Sequence, residues 1–279
     1  MVDQRKRHLA NIEPGMQDPV SYAVSQRDRA TLEMVQEAIT HRESLLAYQP
    51  IVLASDHNRV GFYEALMRIL DPAGRVIPAG EFMPVVEDTQ TGREIDTLAL
   101  RMGLESLGRN PSLRLSINMS ARSIGYRPWL QTLQQALGDD PTLGERLILE
   151  ITERSAMTVP ELVGPFMEQL HPRGVCFAMD DFGAGHCAIH HFRDFYFDIL
   201  KIDGQFVTGI ARNADNRSVT AALLSIARNF EMLTVAECVE NAEDAASLGR
   251  MGADCLQGYF FSAPTTQPPW MALDRRRAG

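Results

Sequence analysis

The chain has 279 residues, 45% of them hydrophobic and 23% charged, with a formal net charge of −9, a profile of a soluble globular protein long enough for one large α/β barrel or two small domains. The acidic balance argues against a nonspecific nucleic-acid binder, which neutralises phosphates with clustered Lys and Arg, so no DNA or RNA duplex is expected as a partner. No run approaches the ~18 apolar residues of a membrane span, and the basic start MVDQRKRHLANIEPG has no apolar stretch behind it; a cytoplasmic protein without membrane insertion is expected.

Residues 1–26 are polar, mixed and too few for a domain, which predicts a flexible N-terminal arm, followed by one domain over 27–274 and a short tail over 275–279. Residues 25–46 carry Leu32, Val35 and Ile39 at helical spacing, with Ser25 or Asp28 as the cap. LAYQPIVLA, the polar turn SDHNR and VGFYEALMRI then read as two antiparallel strands. After helical patterns over 80–88 and 92–107, the chain alternates apolar runs with amphipathic segments. The runs are LRLSINMS (113–120), RLILEITE (146–153), VCFAMDDF (175–182), ILKID (199–203), LTVAECVE (233–240) and CLQGYFF (255–261). One intervening segment, RSVTAALLSIARNF, places Val219, Ala222, Leu223, Ile226 and Phe230 on one predicted face.

Apolar runs joined by helices describe a parallel sheet buried on both faces. Six such strands and the hairpin predict an α/β fold, a TIM-like (β/α)8 barrel whose first strand runs antiparallel; an open doubly wound sheet is the alternative. The dinucleotide fingerprint G-x-G-x-x-G is absent, and Phe182-Gly183-Ala184-Gly185 does not supply it. Cys176, Cys187, Cys238 and Cys255 form no C-x-x-C pair and predict buried thiols rather than disulfides or a zinc site. The histidines offer no rival centre: His190 and His191 read as surface or packing residues, and His8, His41, His57 and His171 are isolated. Neither a G-x-S-x-G elbow nor a Walker loop is present.

In such a barrel the active site lies at the C-terminal ends of the strands. Nearly every run carries a polar residue late in its length: Glu64, Asn118, Glu150, Asp180 with Asp181, Lys201, Glu237 and Gln257. Singly, Glu64 could serve a hairpin ion pair, Asn118 a loop contact and the Asp pair a turn. Glu150 and Lys201, however, sit between apolar neighbours where a lone charge is costly. Two carboxylates about 4 Å apart repel by roughly 4 kcal/mol at an effective dielectric near 20, and one lysine cannot offset five of them. Either several hold protons or cations bind. Oxygen ligands select hard ions such as Mg²⁺, Mn²⁺ or Ca²⁺, and two ions sharing an aspartate is a pattern that cleaves phosphodiesters.

The tripeptide Glu64-Ala65-Leu66 stands among YQPIV (48–52), EALMR (64–68), INMS (117–120), LEITE (149–153), DDFGAG (180–185), LKID (200–203), AECVE (236–240) and QGYFFSAP (257–264). In this order the motifs resemble the EAL domain, the bacterial phosphodiesterase module that linearises cyclic di-GMP to pGpG, across roughly residues 30–270. The resemblance implies Glu64, Asn118, Glu150 and Asp180 around one metal, and Asp180, Asp181 and Glu237 holding or orienting a second. It implies Lys201 at the attacking water and Gln257 in support of the same centre. Gln49 and Arg68 would contact substrate, Arg68 at a phosphate, with Asp203 as a nearby acid. Glu153 would steady the loop after the Asp pair. Two Mg²⁺ or Mn²⁺ ions are the implied cofactors, Ca²⁺ an inhibitor that permits binding without turnover, cyclic di-GMP the partner and a homodimer the assembly. His186 and Cys187 stand where the family usually has a tyrosine and a serine, and Cys238 where it usually has a glycine, although none is an implied ligand. The alternative is a catalytically silent EAL domain acting as a cyclic di-GMP receptor or a protein-docking module.

Overall fold

In the computed structural model, which describes residues 19–183 and 195–271, α1 (Pro19–His41) leads into a hairpin of β1 (Ser44–Leu53) and β2 (Asp56–Leu70). The helix starts ahead of the expected Ser25 or Asp28 cap. Ser25 Oγ donates to Ser21 O at 2.9 Å from within the helix, and a proline at the start brings a preset φ where no amide partner is needed. The segment expected to be an arm is thus helical from Pro19 on, and its residues 1–18 lie outside the described residues, as does the expected tail.

β3 (Val76–Pro78), α2 (Ala79–Val86), α3 (Gln90–Arg109), β4 (Leu115–Asn118) and α4 (Arg127–Asp139) come next, then β5 (Leu147–Thr152), α5 (Glu153–Ala156), α6 (Pro160–Leu170) and β6 (Cys176–Phe182). β7 (Ile199–Ile202), α7 (Gly204–Val207), α8 (Ala214–Asn229), β8 (Leu233–Ala236), α9 (Ala242–Met251) and β9 (Cys255–Leu256) complete the described chain. The strands run β1-β9-β8-β7-β6-β5-β4-β2, and β1 pairs back onto β2 to close the ring; β3 hangs outside it on β2. β1 is antiparallel to both neighbours, whereas the remaining ring pairs are parallel. This is the expected TIM-like barrel.

A hairpin needs no crossover helix, so the outer face of β1 and β2 must be covered from elsewhere. Trp270 does part of this, meeting Tyr48 and Tyr63 edge-on at 5.2 and 4.6 Å. Tyr48 also shares a 2.7 Å hydrogen bond with Ser106 of α3. The helix predicted before β8 is present but rotated from its expected face: Thr220, Leu223, Leu224 and Ala227 are buried, and Val219 and Phe230 are exposed. Thr220 reads as polar in sequence, yet its hydroxyl donates to Phe206 O at 3.3 Å and its methyl group completes the stripe.

Strand alternation then sets the site. Ile51, Phe62, Ile148, Ala178, Ile199, Val235 and Cys255 form an apolar cluster separate from the main core. Each comes from a different ring strand, and buried Ser116 of β4 holds the corresponding position. Side chains two residues apart on a strand share a face. Two steps toward the C-terminal rim of the barrel, the same inward positions are Gln49, Glu64, Asn118, Glu150, Asp180, Lys201, Glu237 and Gln257. Only on the antiparallel β1 is that step taken backward along the chain, from Ile51 to Gln49. A hydrocarbon plug thus closes the barrel beneath a polar layer.

Candidate active site

Lys201 lies at the middle of this layer, 1% exposed. Its Nζ is 2.7 Å from Glu150 Oε2, 2.8 Å from Glu237 Oε1, 2.9 Å from Asp180 Oδ1 and 3.4 Å from Glu64 Oε2. Asn118 Nδ2 donates to Glu64 Oε1 at 2.7 Å, and Gln257 Nε2 to Glu64 Oε2 at 2.6 Å. The structure therefore brings together the residues implied for the two metals and for the attacking water.

Asp180 and Asp181 both reach this centre because β6 is irregular there. Its register with β7 breaks between Met179 and Phe182, and Asp181 has φ +54°. Regular alternation would send adjacent side chains to opposite faces; the bulge lets carboxylate oxygens of Asp180, Asp181 and Glu237 lie within 4.8 Å of one another. Such a conformation costs a non-glycine residue about 1–2 kcal/mol and is concentrated at functional sites. Cys238, immediately after Glu237, also has φ +54°, which accounts for the family's usual glycine at this position. Its thiol is exposed, contrary to the buried thiol expected, because the strand has already ended; Cys255 is buried as expected, and Cys187 lies outside the described residues.

One ammonium cannot balance the surrounding charge. Burial, reinforced by the neighbouring Glu64 and Asp180 charges, pushes Glu150 up to about 8 despite Lys201. Burial also raises Glu237 well above the carboxylate range, and Asp181 rises to about 6 through burial and the Asp180 charge. Burial would raise Glu64 too, but Lys201, Gln257 and Asn118 together hold it below its ordinary value. The cluster binds protons that a cation would displace. Glu150 Oε1 and Gln257 Oε1 are buried without a hydrogen-bond donor among the described residues; these acceptors, the carboxylate excess and an all-oxygen donor set fit hard divalent cations.

Two cavities meet here. One, of about 490 Å³, includes Gln49, Arg68, Glu240 and Tyr259 in its wall. The other, of about 350 Å³, is bounded by Met67, Met83, Ile95, Asp96, Asn118 and Met119. Glu64, Asp180 and Asp181 line both. The Arg68 guanidinium donates to Met67 O at 2.9 Å and is half-buried at the first cavity, with burial lowering its affinity for its proton. Asp203, in contrast, accepts from Gln205 N at 2.8 Å as the cap of α7 and is not part of either wall. Glu153 is buried, with Oε2 accepting from Gly183 N at 3.2 Å. His186 and Cys187, farther along that loop, lie outside the described residues.

Sequence reading missed Asp96. This buried carboxylate of α3 accepts from Ser120 N at 2.9 Å and Ser123 Oγ at 2.6 Å. Ser155 Oγ in turn accepts from Ala121 N at 2.8 Å, so α3 and the loops after β4 and β5 form one braced unit. A charged residue beside Ile95 and Ala99 on the apolar face of a predicted helix was the available signal. Burial raises Asp96 to about 6, with the two hydrogen bonds only partly compensating.

The family profile described as EAL domain matches residues 32–264. The chain is 30% identical over 247 residues to the bifunctional diguanylate cyclase/cyclic di-GMP phosphodiesterase MucR of Pseudomonas aeruginosa, covering 87% of this chain and 36% of MucR. It is 32% identical over 236 residues to the cyclic di-GMP phosphodiesterase PdeB of Shewanella oneidensis, covering 82% and 27%. The chain thus spans about a third of the length of these relatives. Among solved structures, the PaMucR phosphodiesterase–c-di-GMP complex superposes with a TM-score of 0.74 at 29% identity, covering 87% of this chain and 99% of that one. The FimX EAL domain of Pseudomonas aeruginosa bound to c-di-GMP gives 0.76 at 23%, covering 85% and 96%, a likeness of fold.

Two stability measurements check these contacts. Asp96 holds its proton more tightly folded than unfolded, so its ionisation removes stability as pH rises from about 4 to about 6. Asp96→Asn, which keeps an acceptor, is expected to match the native chain near pH 4 and exceed it by about 1–3 kcal/mol at pH 8 in chemical denaturation; a pH-independent difference contradicts this. A Cβ on Gly204 would lie 2.6 Å from Cys238 Sγ and 2.7 Å from its Cβ. Gly204→Ala should therefore cost about 1–3 kcal/mol and less than half as much in a Cys238→Gly background, whereas equal costs would deny the contact.

Proposed function

The chain belongs to the EAL domain family, and on that premise we propose that it is a metal-dependent phosphodiesterase that opens cyclic di-GMP to linear pGpG. The observation carrying the proposal is the polar layer itself: four of the acidic residues implied as ligands surround one lysine, Asn118 bonds one of them, and two cavities meet at Glu64, Asp180 and Asp181. A nucleotide with two halves joined by phosphodiesters suits that junction, with a base on either side.

Glu64, Asn118, Glu150 and Asp180 would hold one Mg²⁺ or Mn²⁺ ion, and Asp180, Asp181 and Glu237 the other. When bound, such ions acidify a water and neutralise charge on the phosphodiester. Burial favours a neutral Lys201, but the encircling carboxylates hold it well above its usual range; it stays protonated and acts as a donor, orienting the attacking water and meeting negative charge as it develops. Asp181 would take the proton of that water. The water oxygen bonds to phosphorus as the bond to the 3′ oxygen breaks; the departing oxygen takes a proton from solvent, to which Asp181 returns the one it accepted. Arg68 binds a phosphate from the wall of the larger cavity, Gln257 supports Glu64, and Glu153 holds the loop at Gly183. The same reading carries a homodimer and a cytoplasmic location, each open to light scattering or cell fractionation.

Chromatography after incubating the protein with cyclic di-GMP should show pGpG with Mg²⁺ or Mn²⁺, and binding without product with Ca²⁺. Binding without product under every metal would instead support a silent receptor. Glu64→Ala is expected to lower turnover by more than about a hundredfold, since loss of even outer-shell support costs 10–100-fold. Arg68→Ala should raise KM by about tenfold with kcat little changed, as for one lost charge-assisted hydrogen bond. A loss confined to kcat would contradict its assignment.

A further inference from the structure

The resemblance places Gln49 at the substrate, yet the protein itself engages both ends of its carboxamide. Gln49 is 6% exposed. Its Oε1 accepts from Gln257 Nε2 at 3.1 Å, and its Nε2 donates to Ser262 O at 3.1 Å. Gln257 Nε2 also donates to Glu64 Oε2 at 2.6 Å. A carboxamide nitrogen has two hydrogens, and here one is directed at Glu64 and the other at Gln49. Glu64 determines which end of the Gln257 amide faces it; Gln49 fixes the plane. Gln257 Oε1 is left buried with no donor among the described residues.

The opposite end of Gln49 reaches the segment at the mouth of the larger cavity. Ser262 follows Tyr259, which lines that cavity and is 71% exposed. The segment is fastened again one residue from Gln49: Tyr48 N donates to Thr265 O at 2.8 Å and Thr265 N to Tyr48 O at 3.0 Å. Among the described residues, a hydrogen-bonded route from the antiparallel strand therefore joins a metal-ligand candidate, Glu64, to the cavity mouth through two carboxamides.

We propose that Gln49 is a positioning residue that acts on cation binding and turnover through Gln257 and Glu64, and that it couples this centre to the mouth segment at Ser262. It rests on the proposed reaction for its kinetic consequence, whereas its consequence for cation binding is independent of any nucleotide. A substrate contact would have the opposite signature: cation affinity unchanged, and KM raised alone.

The test is titration of Mn²⁺ into the full chain without nucleotide, followed by kinetics with cyclic di-GMP at limiting and saturating Mn²⁺. Gln49→Met keeps the length and removes both hydrogen bonds; it should weaken Mn²⁺ binding about five- to tenfold and lower kcat at limiting Mn²⁺, with KM within about twofold. Gln49→Glu keeps the acceptor for Gln257 and should hold Mn²⁺ within about twofold of the native chain. Native Mn²⁺ affinity in Gln49→Met overturns the proposal, whether or not KM rises. If Gln49→Met fails to fold, a tenfold loss of Mn²⁺ affinity in folded Gln49→Glu overturns it equally. A native protein that binds Mn²⁺ but leaves cyclic di-GMP intact would refute the proposed reaction and leave the cation-binding test standing.

Discussion

A single ammonium shared among four carboxylates governs the interior of this barrel. Lys201 has Glu64, Glu150, Asp180 and Glu237 within 3.4 Å of its Nζ, and a buried carboxylate without a partner is expensive. The imbalance has two physical resolutions, protons or added cations. Raised values at Glu150, Glu237 and Asp181 are the proton form of the answer. A divalent cation would release those protons and use acceptors such as Glu150 Oε1 that the protein leaves without a donor. Lys201 would then persist as a charged donor in a site whose sign the ions reverse, which under the proposed reaction would let an acidic chain receive an anionic nucleotide.

The barrel makes this crowding possible through the simplest periodicity in proteins. Alternation along each strand places the hydrocarbon plug and the polar layer two residues apart on the same inward face. The eight ring strands therefore need only one well-placed residue each. The bulge at Asp180 and Asp181 is the departure that adds a second carboxylate from one strand, with positive φ as its local cost. At Cys238 the same backbone form is carried by a residue that gains no special conformational freedom, and its side chain rests against Gly204, beside the cap of α7. Of the four non-glycine residues with positive φ among the described residues, two thus stand at the site, Asp181 near the end of β6 and Cys238 just after Glu237.

Much of this was legible in the sequence because charge within an apolar run has few explanations. Glu150 between Leu149 and Ile151, and Lys201 between Leu200 and Ile202, signalled an internal polar layer, and the hairpin signalled the antiparallel first strand. The start of α1 was not legible, since Ser25 caps in isolation but bonds back to Ser21 within a longer helix. Nor was the face of α8, where burial of Thr220 depends on a carbonyl contributed by Phe206. Asp96 escaped notice because its partners, Ser120 and Ser123, are distant in sequence. Gln49 shows the same limit: its motif suggested a ligand contact, and only the folded chain shows that Gln257 and Ser262 already engage it.

Lysine is scarce enough here to make the central interaction directly observable. The chain contains only Lys6 and Lys201, so protein labelled with ¹³C at lysine Cε gives two side-chain signals, and Lys6→Arg isolates that of Lys201. Titrating Mg²⁺ into this protein without nucleotide is predicted to move the Lys201 signal saturably while it remains in the charged form. A Lys201 signal that ignores Mg²⁺ at concentrations that support turnover would contradict the account, because the carboxylates around this ammonium could not then be the ones that hold the ions.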